Sequence, residues 1–474
     1  MIVSFLRKAA TISVGLALLA PSASQAAGAP QAGATLDPSF GGSGIVQLLS
    51  EFALTSYGRA TESDDVLVNG GSSIHILSSL GGTGEAFGGV GTLSFPPANG
   101  NEFQDLEFMI DPQGRLLVVG SLVFPESANP SPVLENGSPA FKPAVLRILR
   151  VLPDGRLDPS FGAGGVLETS LGLPPPRGKR NERLGSHPSI QPGGVAVDAQ
   201  GRIIVTGGAV VGLGGSCIHD VNAAVAVSAG FVARFTESGK LDPSFGRKGL
   251  FGGRSLSENP LGALGIFEPL VSPGGRITYL SGGAYTCERD RSHFGVAQLT
   301  PDGRIRTAFG NKGAILGLYS ALAAKPDGSV LALSEVPARR ERESSRARLI
   351  RIAPNGKRDV SFGKNGRAEI DLGTAWGTRL DALAVESGGR IMLGGTLGSR
   401  KGRSTLLLRL SAQGKWEDSF GPHGRVTTRV QRLTQGGPSD LFFDSQGRLV
   451  TVHRYSGRKT TDSGLVVARY LLQN

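Results

Sequence analysis

The sequence predicts an all-β fold: a seven-bladed β-propeller of four-stranded antiparallel blades, closed by pairing an N-terminal outer strand with three C-terminal strands. Three observations predict it. A Phe-Gly turn recurs seven times, a second turn motif interleaves with it in fixed phase, and the last residue falls where the first repeat begins.

The Phe-Gly turns are Leu36-Asp-Pro-Ser-Phe40-Gly, Gly84-Glu-Ala-Phe87-Gly, Leu157-Asp-Pro-Ser-Phe161-Gly, Leu241-Asp-Pro-Ser-Phe245-Gly, Arg306-Thr-Ala-Phe309-Gly, Asp359-Val-Ser-Phe362-Gly and Glu417-Asp-Ser-Phe420-Gly. The phenylalanines stand 47, 74, 84, 64, 53 and 58 residues apart, so one structural unit repeats with insertions in its loops. Glycine supplies 71 of the 474 residues, about twice ordinary usage, and aromatics only 6%. Many short strands joined by tight turns have that composition.

The second motif is Asp111-Pro-Gln-Gly-Arg115, Asp198-Ala-Gln-Gly-Arg202, Ser272-Pro-Gly-Gly-Arg276, Lys325-Pro-Asp-Gly-Ser329, Glu386-Ser-Gly-Gly-Arg390 and Asp444-Ser-Gln-Gly-Arg448, each between apolar runs. An Asp side chain bonds the turn amides and Gly accepts positive φ. The first repeat departs from it around Asp64-Asp65. A third segment places Arg150, Arg234, Arg351 and Arg409 11 residues before the phenylalanine; Gln298 and Ile76 hold that place in two repeats, so the position is structural. Each unit therefore holds an inner strand, a second strand after the Asp-x-x-Gly turn, an arginine-bearing third strand and an outer strand after Phe-Gly. That is the blade of a propeller. Counted from Arg469, Asn474 stops one place before the position Thr35 fills in the first repeat. Residues 45–48 are expected to complete the blade whose other strands end at 466–470, which removes two open sheet edges.

Both motifs, in this order and phase, resemble the delta-60 repeat of bacterial exported β-propellers across nearly all of residues 35–474. The resemblance implies a propeller fold and brings no catalytic residue set with it.

Arg7 and Lys8, an apolar run over 9–20 and a small-residue segment have the build of a secretory signal peptide, with cleavage expected after Ala26. A dozen apolar residues fall short of the roughly 20 that span a bilayer. The expected organisation is thus a signal peptide over 1–26, a linker over 27–34 and one propeller over 35–474, exported to the periplasm or secreted, with no transmembrane segment in the mature chain. A monomer is expected. Net charge is +11, falling to +9 once Arg7 and Lys8 are removed. A basic exported surface meets anionic glycans, lipid headgroups or acidic proteins.

In such a blade the inner-to-second and third-to-outer turns share one rim; the second-to-third loops and the blade-to-blade segments share the other. Insertions fall on the second rim, at 122–143, 171–192, 210–230, 255–269, 285–292 and 337–345, and a binding site is expected there. The basic residues of these and neighbouring loops, Arg177, Lys179, Arg180, Arg183, Arg339, Arg340, Arg342, Arg400, Lys401 and Arg403, are the candidate contacts to an anionic polysaccharide or envelope protein. Nucleic acid is not expected, because these loops lack aromatic stacking platforms. Cys217 and Cys287, in equivalent loops of neighbouring blades, are expected to form a disulfide after export.

Six histidines without ligand spacing imply no metal; no Gly-x-Ser-x-Gly elbow or phosphate-binding loop occurs, and no cofactor is expected. Asp105, Asp381 and Asp440, near the starts of inner strands, are the weak catalytic candidates. Two of them within about 5–10 Å could perform glycosidic or eliminative chemistry. The sequence favours a non-catalytic scaffold that binds an anionic glycan or protein through long loops, over a polysaccharide hydrolase or lyase.

Overall fold

The computed structural model describes residues 33–49, 57–89, 91–95, 102–123, 144–173, 190–215, 224–253, 265–282, 294–336, 344–373, 377–399, 402–429, 437–455 and 464–473. They form seven antiparallel sheets arranged as the blades of a ring, six from consecutive strands and the seventh from both ends of the chain. The inner strands of blades 1 to 7 are Gly58–Ala60, Glu102–Ile110, Ile190–Val197, Gly265–Val271, Tyr319–Ala324, Arg379–Val385 and Asp440–Phe443. Strands in such a ring are covered on both faces by neighbouring blades, so they read as unbroken apolar runs rather than alternating ones. Leu116, Leu117, Val118 and Val119 of blade 2 are all buried.

Each interface between neighbouring blades has its own hydrophobic core, and the repeat phenylalanine is planted in it. Phe87 packs between blades 1 and 2, Phe161 between 2 and 3, Phe245 between 3 and 4, and Phe309 between 4 and 5. Phe362, Phe420 and Phe40 do the same at the remaining interfaces.

Closure follows the expected scheme. Ile45–Leu49 pairs antiparallel with the third strand of blade 7, Gly464–Leu472, with Ile45 opposite Ala468. A further strand, Ala34–Leu36, pairs with the same partner, Leu36 opposite Tyr470, so the outer edge of this blade is built in two pieces.

The structure explains why Asp-Pro-Ser-Phe travels with an arginine. Arg150, Arg234, Arg351, Arg409 and Arg469 each stack 4.6 to 5.2 Å over the ring of Phe161, Phe245, Phe362, Phe420 and Phe40 respectively. Each Nε lies 2.7 to 2.9 Å from a carboxylate oxygen, of Asp158, Asp242, Asp359, Glu417 and Asp37. One terminal nitrogen bonds the serine of the motif, and the other donates to a backbone carbonyl of the next blade, at Glu237, Pro301, Ala412, Gln473 and Ser79. A buried guanidinium is tolerable only when paired and fully hydrogen-bonded. Here its last donor is spent on the neighbouring blade, so the motif ties blades together. Gln298 breaks the pattern in blade 4 and Ile76 breaks it in blade 1.

The glycine that turns the third strand toward the outer strand works in the same place. Gly414 has φ +77°, and a Cβ there would stand 2.5 Å from the ring of Phe362 in the preceding blade. Only glycine accepts both that backbone and that approach.

Connections on the two rims differ in kind. Between third and outer strands, 14 residues intervene in every blade from 2 to 6. Between second and third strands the number runs from 2 residues in blade 6 to 20 in blade 2. In blade 3 the expected insertion over 210–230 is mostly an extension of the hairpin, since Ile203–Gly215 and Ala224–Phe235 pair up to Gly215 opposite Ala224. No helix among the described residues is long and apolar enough to cross a membrane.

Candidate functional site

The inner strands of blades 2 to 6 each carry a β-bulge, at Asp105-Leu106, Gly193, Glu268-Pro269, Ser320 and Asp381. A bulge adds an unpaired residue and re-aims side chains. Asp105 and Glu268 hold φ of 54° and 49°, the left-handed region that few non-glycine residues occupy. Pro269 fits because a bulged residue need not donate to the ladder.

Four residues before the first residue of the inner turn, the seven blades present Tyr57, Glu107, Gly194, Glu268, Ala321, Ala382 and Asp440. The acids of this column come from blades 2, 4 and 7 and sense one another. Burial pushes the Glu107 carboxyl up to about 8, with Glu268 and Asp440 adding repulsion, against the Tyr57 hydrogen bond and Arg59. Burial pushes Glu268 up to about 7, although it accepts the Leu322 N–H at 3.0 Å. Asp440 is raised by burial as well, despite an ion pair with Arg59 at 3.0 Å and the Gly58 N–H at 3.1 Å. Glu268 is itself exposed, so its raised carboxyl reflects the density of protein around it rather than enclosure. Tyr57 stacks on Phe108 at 4.9 Å, and its hydroxyl lies 3.2 Å from the Leu106 carbonyl and within hydrogen-bond reach of Glu107, to one of which it donates.

The arrangement is a set of three carboxyls with raised pKa around one guanidinium, that of Arg59. Raised carboxyls near neutrality can donate as well as accept protons, which is what acid–base chemistry or recognition of hydroxyl-rich ligands requires.

No protein-family model and no curated protein sequence matches the chain. Among solved structures, a polysaccharide lyase, Uly1, is similar at 10% identity over 91% of this chain and 88% of its own, TM-score 0.44. A glucose dehydrogenase is similar at 14% identity over 77% of this chain and 95% of its own, TM-score 0.37. A PQQ-bound aldose sugar dehydrogenase from Streptomyces coelicolor is similar at 12% identity over 79% of this chain and all of its own, TM-score 0.33. These likenesses concern the fold alone.

Of the three aspartates singled out by sequence, only Asp440 joins the carboxyl set. Asp105 receives the Gln191 side-chain amide at 3.4 Å, and burial raises its carboxyl. Asp381 pairs with Arg379 at 2.9 Å; burial raises it too, and it in turn helps to raise Glu335. Sequence reasoning missed Glu107, Glu268, Tyr57 and Arg59. The signal was register: Glu107, Glu268 and Asp440 all stand four places before their turns, whereas Asp105 and Asp381 stand six and five places before.

Beside Glu268, Phe267 is 43% exposed. It rests on backbone: added Cβ atoms at Gly193, Gly265 and Gly282 would stand 2.7, 2.6 and 2.9 Å from its carbons. Phe103 also sits on a glycine, Gly120, but Phe95 and Arg147 cover it and it is buried. Phe267 is thus a braced, uncovered aromatic platform.

Arg177, Lys179, Arg180, Arg183, Arg339, Arg340, Arg342, Arg400 and Lys401 lie outside the described residues, as do Cys217 and Cys287. Arg403 belongs to the strand Gly402–Leu410, opposite Gly398 and partly buried. Among the described residues no cluster of three His, Cys, Asp or Glu side chains could hold a metal.

Proposed function

We propose that the protein is an exported member of the delta-60 type of propeller, a scaffold whose loop rim binds an anionic glycan or an envelope protein without transforming it. One observation supports this most: third-to-outer connections are constant in length while second-to-third connections vary tenfold. A rim under purely structural constraint stays uniform, and a rim that reads a partner diversifies. The basic residues of the variable segments would draw in the anion, and a Cys217–Cys287 disulfide would pin two of the loops. Binding of a sulfated or uronate-rich polysaccharide tests it. Affinity should fall steeply with salt and be lost when Arg180, Arg340 and Arg403 are all changed to Glu; affinity indifferent to both overturns the reading.

A specific observation favours a second reading, a polysaccharide hydrolase or lyase. Glu107, Glu268 and Asp440 converge from three blades with raised carboxyls beside Arg59 and Tyr57. In that reading a Glu with a raised carboxyl serves as acid to the leaving oxygen, and Asp440, held by Arg59, serves as base or nucleophile. Reducing-end release from a polysaccharide panel, abolished in Glu107→Gln, would support it; no release from any member counts against it.

A further inference from the structure

Where the third-strand arginine is present, charge at the turn rim is balanced locally. In blade 2, Arg115 pairs with Asp111 at 2.6 Å and Arg150 with Asp158 at 2.8 Å, and Arg115 reaches Asp158 at 3.9 Å. Blade 3 repeats this with Arg202, Asp198, Arg234 and Asp242. Blade 7 does so with Arg448, Asp444, Arg469 and Asp37, joined by Asp64. Two guanidinium groups meet at least two carboxylates each time.

Blade 4 keeps two guanidinium groups and loses both acids. Ser272 stands where Asp111 stands in blade 2, Gln298 where Arg150 stands, and Arg306 where Asp158 stands. Arg276 and Arg306 have no ion pair among the described residues. Arg306 donates to the Gln298 side-chain oxygen at 2.7 Å, Gln298 donates on to Thr278 at 2.7 Å, and Arg276 donates to the Pro354 carbonyl at 3.0 Å. None of those acceptors carries charge. Beside them, between blades 4 and 5, opens a cavity of about 260 Å³ whose polar lining is Ser272, Arg276, Thr278, Gln298, Lys325 and Ser329, the remainder being mainly apolar side chains. Blade 5 adds Lys325 where an Asp stands in blade 2. Asp327, in the same turn, is held by the Ser329 amide and hydroxyl; it also feels the Lys325 charge, though no ion pair joins the two among the described residues.

We propose that this cavity binds a tetrahedral oxyanion, phosphate or sulfate, free or carried on a sugar, through Arg276, Lys325 and the polar side chains that line it, with Arg306 completing the positive field. Guanidinium groups left without carboxylates in a recess are the usual means of holding such an anion. The volume lies just under the ~300 Å³ at which small-molecule pockets begin, a size for one oxyanion group with its waters. The site lies on the turn rim and is independent of partner binding by the loops.

Calorimetric titration of the full chain with sodium phosphate, sodium sulfate and glucose 6-phosphate, at ionic strength held with sodium chloride, tests it. One saturable site per chain is expected. Tighter binding of glucose 6-phosphate than of phosphate assigns a sugar-borne group, and the reverse assigns the free ion. Ser272→Asp restores the residue that blades 2, 3 and 7 carry at this place, so it keeps the fold while supplying the missing carboxylate; affinity should drop at least about tenfold. Arg306→Gln should weaken binding without adding negative charge. Absence of a saturable site up to about 50 mM, or unchanged affinity in Ser272→Asp, overturns the proposal.

Discussion

Arg469 and Asp37 are 432 positions apart in the sequence and 2.8 Å apart in the fold, in the geometry that Arg150 and Asp158 reach across eight. The ring is therefore sealed with the same fastening used within its repeats. Burial alone would raise the Asp37 carboxyl, but hydrogen bonds from Ser39 and the Arg469 charge outweigh it and leave it lowered.

Asp37→Asn leaves a buried guanidinium without its counter-ion and is expected to cost about 3 kcal/mol. Asp158→Asn should cost the same within about 1 kcal/mol, since the two fastenings match. Urea unfolding of both variants checks this. A seam variant without effect would mean that closure contributes nothing to stability.

Because the folded Asp37, Asp158 and Asp242 carboxyls are lowered, their contribution is present above the unfolded value and lost as pH falls through the folded one. Stability should drop below about pH 4, near the unfolded Asp value. Acid titration followed by circular dichroism should show the drop shallower in Asp158→Asn.

The channel acids carry the opposite sign. Glu107 and Glu268 hold protons in the fold that the open chain has already released, so their contribution is full below the unfolded Glu value and lost as pH rises through about 7 and 8. Thermal stability should decline between mildly acidic and mildly alkaline pH. Glu107→Gln should flatten that decline, and an identical pH profile in this variant would rule the carboxyl out as its source.

Gly414→Ala puts a Cβ into the ring of Phe362 and an alanine at positive φ, and should cost about 2 kcal/mol or more. Gly447→Ala, which shares the positive φ (+75°) but has no atom within 4 Å of the added Cβ, serves as the control and should cost less, about 1 kcal/mol. Chemical denaturation of the pair distinguishes close approach from a general glycine effect.

Phe267→Ala should lower affinity for a saccharide bound at the channel mouth by up to about tenfold, the weight of one aromatic contact. Phe267→Trp should retain it. Equal affinity in all three proteins would separate the platform from binding.

The repeat architecture could be read from the sequence because its turns are local: Asp, Gly and Phe at fixed spacing each satisfy a nearby backbone requirement. The partnership of Arg150 with the next blade could not, since Glu237 offers only its carbonyl, which every residue has. Glu107 and Glu268 escaped for a different reason. Bulges shift the count along each inner strand by a residue, so counting from strand starts selected Asp105 and Asp381, and only counting back from the turns aligns the acids that meet.

The strand Gly464–Leu472 is the last of the described strands to be made, and Arg469 within it is what Asp37, Ser39 and Phe40 await. Until it arrives, that early segment has a carboxylate without its cation and an aromatic ring without its cover. A chain still emerging from a ribosome is consequently an unlatched horseshoe, with two sticky lips exposed for most of its synthesis. Any helper that shields such lips would be needed near the beginning of the chain, and for longest.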